Sequence, residues 1–277
     1  MRRIWRAVLV ALAIGFGSAA YMYLTLPDVR VLRNANPQTT AFMELRARQA
    51  RARGEEPRRV QRWVPYARIS YHLKDAVRVA EDSLFWRHDG VDYQQLKESM
   101  EVNLERGEFA RGASTITQQL AKNLYLSPSK NPVRKLRELL IARRLEAELT
   151  KQRIYEIYLN VIEWGDGIYG AEAAARTYFG KSAAGLTAQE SALLASAIIN
   201  PRLLDPGHPT ARLRRRQQMI LRRMGWVAPP PVLAEPLQAP PDIAPVPPLP
   251  PVGPPIALPG QVIPASPKPP GGGGRVP

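Results

Sequence analysis

Two glutamates, Glu81 and Glu138, stand on either side of a segment too polar to be ordinary surface. Residues 111–126, RGASTITQQLAKNLYL, crowd hydroxyls, amides and one lysine onto the first turns of a predicted helix that follows a glycine. Ser114, Gln118 and Lys122 recur at i, i+4 and i+8, as do Thr115, Gln119 and Asn123. That spacing puts two adjacent polar stripes on one helix face, while Ile116 and Leu120 turn to the core. A helix N-terminus adds amide donors and a positive dipole end, which suits phosphate or sugar hydroxyls. The segment therefore reads as a ligand cradle between two carboxylates.

The carboxylates differ in setting. Val77, Val79 and Ala80 precede Glu81, and Leu84, Phe85 and Trp86 follow it; an apolar setting raises a carboxyl's pKa and makes it a better general base. Deprotonating a sugar hydroxyl is such a task, accelerated by about 10² to 10⁴. Asp82 could cap the helix end or help hold a divalent cation, and His88 and Gly90 shape the following turn. Glu138 has Arg134 at i−4, Lys135 at i−3 and Arg137 beside it. An anionic glutamate among cations is a poor general acid but suits a leaving group that is itself anionic, such as a pyrophosphate. Ordinary ion pairing on a surface helix is the competing reading.

These residues need positioning elements, and the sequence signals mostly helices. Residues 1–6 carry Arg2, Arg3 and Arg6, and residues 7–26 hold no charge, about the length of a membrane-crossing helix. The arginines keep the N-terminus cytoplasmic and send the rest outward. A cleaved secretory signal could end at Gly17, Ser18, Ala19 and Ala20, but the apolar run continues to Leu26 and favours an uncleaved anchor. Residues 27–62 form an arginine-rich juxtamembrane arm, either solvated or bound to phosphate-bearing lipid.

From residue 63 to 226 the pattern is that of a mainly α domain. Asp92 with Gln95 starts a helix carrying Leu96, Met100 and Leu104, which Gly107 stops. Thr115 with Gln118, Asn131 with Pro132, Thr150, and Thr187 with Glu190 open four more. A short extended stretch is possible within residues 60–69, and residues 160–180 read as a glycine-rich loop, either functional or a tight connection between buried helices. The basic helix from Thr210 to Met224 reads as docked on the surface, with Leu213, Met219, Ile220 and Met224 as a partial apolar stripe. Residues 227–277 hold nineteen of the 28 prolines and predict a disordered or polyproline II tail.

Composition narrows the chemistry. A net charge of +15 seeks anionic partners. With no cysteine there is no disulfide or thiolate metal site, and His72, His88 and His208 lack helical metal-ligand spacing. No nucleic-acid recognition signature appears, so nucleic acid is not expected as a partner.

Four ordered segments, EDSLFWRHDG (81–90), GASTITQQLAKN (112–123), RKLRE (134–138) and IYEIYLN (154–160), resemble the motifs of the peptidoglycan glycosyltransferases, glycosyltransferase family 51. NVIEWGDGIYG (160–170), YFGK (178–181) and NPQTTAFM (36–43) are similar to its monofunctional members. The resemblance covers roughly residues 34–205. It implies a lysozyme-like α-helical domain behind one N-terminal transmembrane helix, in the bacterial inner membrane with the domain periplasmic. It also implies polymerisation of lipid II onto a growing glycan-lipid pyrophosphate, forming β-1,4 links with inversion. Glu81 matches the general base and Glu138 the residue assisting departure of undecaprenyl pyrophosphate, with a divalent cation (Mg2+ or Mn2+) or the neighbouring cations. Ser114, Gln118, Gln119, Lys122 and Asn123 match donor-site residues, with Thr115 among them in the motif; Lys130, Arg134, Lys135 and Arg137 align with basic positions near the diphosphate. No organic cofactor is implied, and partners extend to inner-membrane lipids and to cell-wall synthesis or division proteins. The rival readings are a lysozyme-like glycan-cleaving enzyme and a non-catalytic membrane scaffold that binds precursors. Ser127 and Lys130 satisfy a Ser-x-x-Lys spacing by chance, since its companion motifs are missing.

Overall fold

The computed structural model describes residues 1–106, 114–127 and 131–226. Gly107, Arg111, Gly112, Lys130 and the proline-rich tail lie outside them. The mainly α expectation holds: the described residues form ten α-helices and one small sheet.

Helix α1 (Arg2–Leu24) is long and apolar enough to cross a membrane and buries no side chain against the protein. It begins before the predicted span and ends earlier, because Thr25 folds its hydroxyl back onto the Tyr21 carbonyl and Leu26 is buried in the core. The last carbonyls of a helix lack intrahelical partners. Arginines of α6 (Pro132–Glu148) supply donors here: Arg137 Nη2 donates to Thr25 O at 3.0 Å, and Arg144 Nη1 lies 3.4 and 3.3 Å from Leu26 O and Pro27 O.

Part of the arginine-rich segment folds onto the core. Thr40 caps α2 (Ala41–Ala52), whose Met43 is buried, and Arg46 forks onto Glu163 at 3.2 and 2.9 Å. Ser70 caps α3 (Tyr71–Glu81), and Asp92 accepts from the Gln95 amide at the start of α4 (Tyr93–Arg106). Local capping explains the next starts too. Thr115 and Gln118 form the expected capping box of α5 (Ile116–Tyr125), Asn131 precedes Pro132 of α6, and Thr150 caps α7 (Lys151–Val161). After α8 (Ala171–Phe179), Thr187 and Glu190 box the start of α9 (Ala188–Ala197), and Thr210 caps α10 (Ala211–Arg223). Helix α5 packs on α2, α6 and α7, while α3 packs on α9 and α10.

The glycine-rich stretch is a structural connection. β2 (Glu163–Gly165) and β3 (Ile168–Tyr169) pair antiparallel, and β1 (Val60–Gln61) joins β3 in parallel. All five residues of β2 and β3 are buried, Trp164 completely. The extended stretch expected within residues 60–69 thus narrows to two residues. Asn160 fastens this sheet to α7: its Oδ1 accepts from the Val64 amide at 2.9 Å, and its Nδ2 donates to the carbonyls of Val64 and Glu156.

Gly170 follows β3 at φ 86°, ψ 154°, a region open essentially to glycine. A Cβ there would sit 2.6 Å from the Asn160 carbonyl oxygen. Backbone strain and overpacking each cost about 1–3 kcal/mol. Gly170→Ala should therefore lower unfolding stability by about 3 kcal/mol, read as a reduced urea midpoint at unchanged slope.

Candidate active site

Glu81 is the last residue of α3 and its side chain is 13 % exposed. Its Oε2 accepts from Gln119 Nε2 at 2.9 Å. Its Oε1 has no hydrogen-bond donor among the described residues and faces Arg216 Nη2 of α10 at 4.0 Å. Burial pushes the Glu81 carboxyl above the usual glutamate range, against the pull of the Gln119 hydrogen bond, Arg216 and Lys122.

Asp82 is buried behind it. Oδ1 lies 2.9 Å from His88 Nε2, and Oδ2 accepts the Ile116 amide at 3.0 Å. Both oxygens thus hold the fold together, across the turn to His88 and across to the first residue of α5. The helix end bonded by the Asp82 side chain is the start of α5, not the end of its own α3.

The cradle is narrower than the stripes suggested. Thr115 Oγ1 donates to Gly90 O at 2.7 Å and accepts from the Gln118 amide, while Gln118 Oε1 faces the Thr115 amide. Asn123 Nδ2 donates to the Gln119 carbonyl. Thr115, Gln118 and Asn123 are buried, and these bonds tie them to α5 and to the turn at Gly90. The amides of Thr115, Ile116 and Gln118 are likewise engaged, and this helix N-terminus does not present them to a ligand. Sequence spacing gave the shared face but not its depth.

The remaining polar groups here are Ser114, Lys122 and the cations of α6. Glu138 is 2 % exposed and pairs with Arg134 Nη1 at 2.7 Å and Lys135 Nζ at 2.5 Å. Lys135 Nζ also donates to Ser114 Oγ at 3.1 Å, tying α6 to the entry of α5. Lys122 is within electrostatic reach of both Glu138 and Glu81, and burial pushes its ammonium down from the usual lysine range. One lysine thus links the two glutamates. Arg137 points elsewhere, to the end of α1.

A Transglycosylase family profile matches residues 48–225, well over half of the chain. The chain belongs to the transglycosylase family. Among curated relatives, the transglycosylase is 42 % identical over 223 residues to the biosynthetic peptidoglycan transglycosylase of Nitrosospira multiformis, covering 80 % of this chain and 96 % of that one. It is 43 % identical over 227 residues to the protein of the same name from Chromobacterium violaceum, covering 82 % and 99 %. With that of Dechloromonas aromatica it shares 48 % over 189 residues, 68 % and 82 % of the two chains.

Two groups at the transglycosylase site were missed in the sequence. Arg216 sits three residues after Leu213 and four before Ile220, both buried, so helical spacing already placed it on the inward face of α10. Tyr158, completely buried, donates to Gln119 Oε1 at 2.9 Å; only the motif containing it hinted at a role. Asp82→Ala orphans the Ile116 amide and removes an anion from the α5 N-terminus. We expect it to cost about 3 kcal/mol by urea unfolding, with lost activity not restored by Mg2+ or Mn2+; restoration by either ion would assign Asp82 to a metal site.

Proposed function

We propose that this transglycosylase polymerises peptidoglycan glycan strands, with the lipid-pyrophosphate end of the growing chain as donor and lipid II as acceptor. Glu81 takes the proton of the acceptor's GlcNAc 4-hydroxyl as that oxygen forms the β-1,4 bond to the donor's anomeric carbon. The α-bond to the diphosphate breaks with inversion, and undecaprenyl pyrophosphate leaves with the electron pair. Arg134 and Lys135, held by Glu138, neutralise the departing charge, and Lys122 and Ser114 line the path between the two glutamates.

The observation carrying this reading is the asymmetry of the two carboxylates. Glu81 is desolvated, with one oxygen free of donors among the described residues, as a base requires; Glu138 is fixed by two cations, as an anionic leaving group requires. A divalent cation fits less well. No cluster of three histidine or acidic side chains suited to a metal forms among the described residues, and both Glu138 oxygens already face cations.

Helix α1 supports a single-pass inner-membrane anchor with the N-terminus cytoplasmic and the domain periplasmic. Because Arg137 and Arg144 bond the end of α1, the anchor's exit and Glu138 share one helix, an arrangement suited to a lipid-linked diphosphate.

Purified protein given lipid II should yield polymer and undecaprenyl pyrophosphate; degradation of finished peptidoglycan without polymer would turn the reading to a hydrolase. Glu81→Gln should lose at least about 10²-fold in kcat while keeping lipid II binding. The pH profile has a fixed sign. Only ionised Glu81 accepts a proton and its pKa is raised, so kcat/KM should fall, as pH drops, through a value above the ordinary glutamate pKa of about 4.3. A limb at or below that value would remove Glu81 as the base.

A further inference from the structure

We infer that Tyr158 is a positioning residue for Glu81, acting through the side-chain amide of Gln119; this rests on Glu81 being the base. A glutamine amide can turn end for end, and its two ends have opposite hydrogen-bonding character. At Gln119 three partners fix one orientation. Tyr158 Oη donates to Oε1 at 2.9 Å, Nε2 donates to Glu81 Oε2 at 2.9 Å, and the same Nε2 lies 3.4 Å from the Ser114 carbonyl. The reversed amide would set its oxygen against both the Glu81 carboxylate and the Ser114 carbonyl.

Tyr158 makes that reversal costlier. Its hydroxyl sits at the end of a completely buried side chain on α7, packed beside Tyr155, and Gln119 Oε1 is its only acceptor among the described residues. Reversal would leave that buried hydroxyl proton without an acceptor, which is costly where water cannot replace it. Gln119 is thus occupied at both ends by the protein, and its amide orients the base instead of gripping substrate. Oε2 of Glu81 is pinned, and Oε1 is the oxygen turned to the acceptor. Arg216 from α10 and Lys122 from α5 are the cations facing the same carboxylate, with Asp82 the neighbouring anion. None of these replaces the directional bond from Gln119.

Tyr158→Phe removes only the hydroxyl. We expect kcat for lipid II polymerisation to fall about tenfold or more, with KM changed less than about threefold. In a Gln119→Leu background, which already lacks the amide, the same substitution should cost less than about twofold, because the hydroxyl acts only through Gln119. Equal losses from Tyr158→Phe in both backgrounds, an effect confined to KM, or no effect at all would overturn the relay. Should Tyr158→Phe not fold, Gln119→Leu alone decides: a kcat loss at steady KM supports positioning, and a rise in KM alone assigns Gln119 to substrate binding and overturns it. Glu81→Gln separates the two layers. If it retains turnover, the base assignment fails; if it is inactive while the Tyr158 and Gln119 losses multiply independently, only the relay fails.

Discussion

The buried carboxylate of Asp82 is the constraint on which the site depends. It sits where α3 ends, and its two oxygens reach forward to His88 and across 34 residues of sequence to the first amide of α5. An anion at a helix N-terminus gains from the dipole and from an otherwise orphaned donor, and burial makes both interactions matter more. The consequence is geometric. Glu81 cannot move without Asp82, and Asp82 is fastened to the helix that carries Gln119 and Lys122. Gly90 completes the clasp, at φ 83°, by offering its carbonyl to the Thr115 hydroxyl.

A second set of restraints works from the opposite end of the chain. Asn160 and the three short strands fix where α7 ends, and α7 brings Tyr158 to Gln119. Helices α3, α9 and α10 pack against one another, so Arg216 reaches Glu81 from a segment 135 residues later in the chain. Glu163, buried and pushed up in pKa by that burial, is held by Arg46, which fastens α2 to the same sheet. Elements distant in sequence therefore converge on one carboxylate.

How much of this the sequence disclosed follows from the range of each interaction. Helix starts at Thr115, Asn131, Thr150 and Thr187 were legible because a cap and its amide partner lie two or three residues apart. Strands of two and three residues are too short for a period-two pattern, so β2 and β3 passed as a loop. The polar stripes of α5 were placed on one face correctly, but spacing carries no information about what packs over that face. Gly90 and Asp82, which cover its start, are remote in sequence. For the same reason Arg137 looked like a companion of Glu138, whereas its side chain turns to the end of α1.

The chemistry then rests on a balance at Glu81 that neither burial nor charge alone would produce. Desolvation by itself would raise the carboxyl's pKa and disfavour the ionised form that a base needs. Cations in direct contact would hold it ionised but lower its affinity for a proton. Glu81 has neither extreme. Among the described residues its nearest cation, Arg216, stands at 4.0 Å, outside hydrogen-bond range, and its one direct donor is a neutral amide. A neutral donor orients the carboxylate while lowering its basicity less than a charged one would, since charge-assisted bonds are about twice as strong. The choice of glutamine over arginine or lysine at position 119 therefore keeps the proposed base both aimed and basic, and the hydroxyl of Tyr158 keeps the glutamine facing the right way.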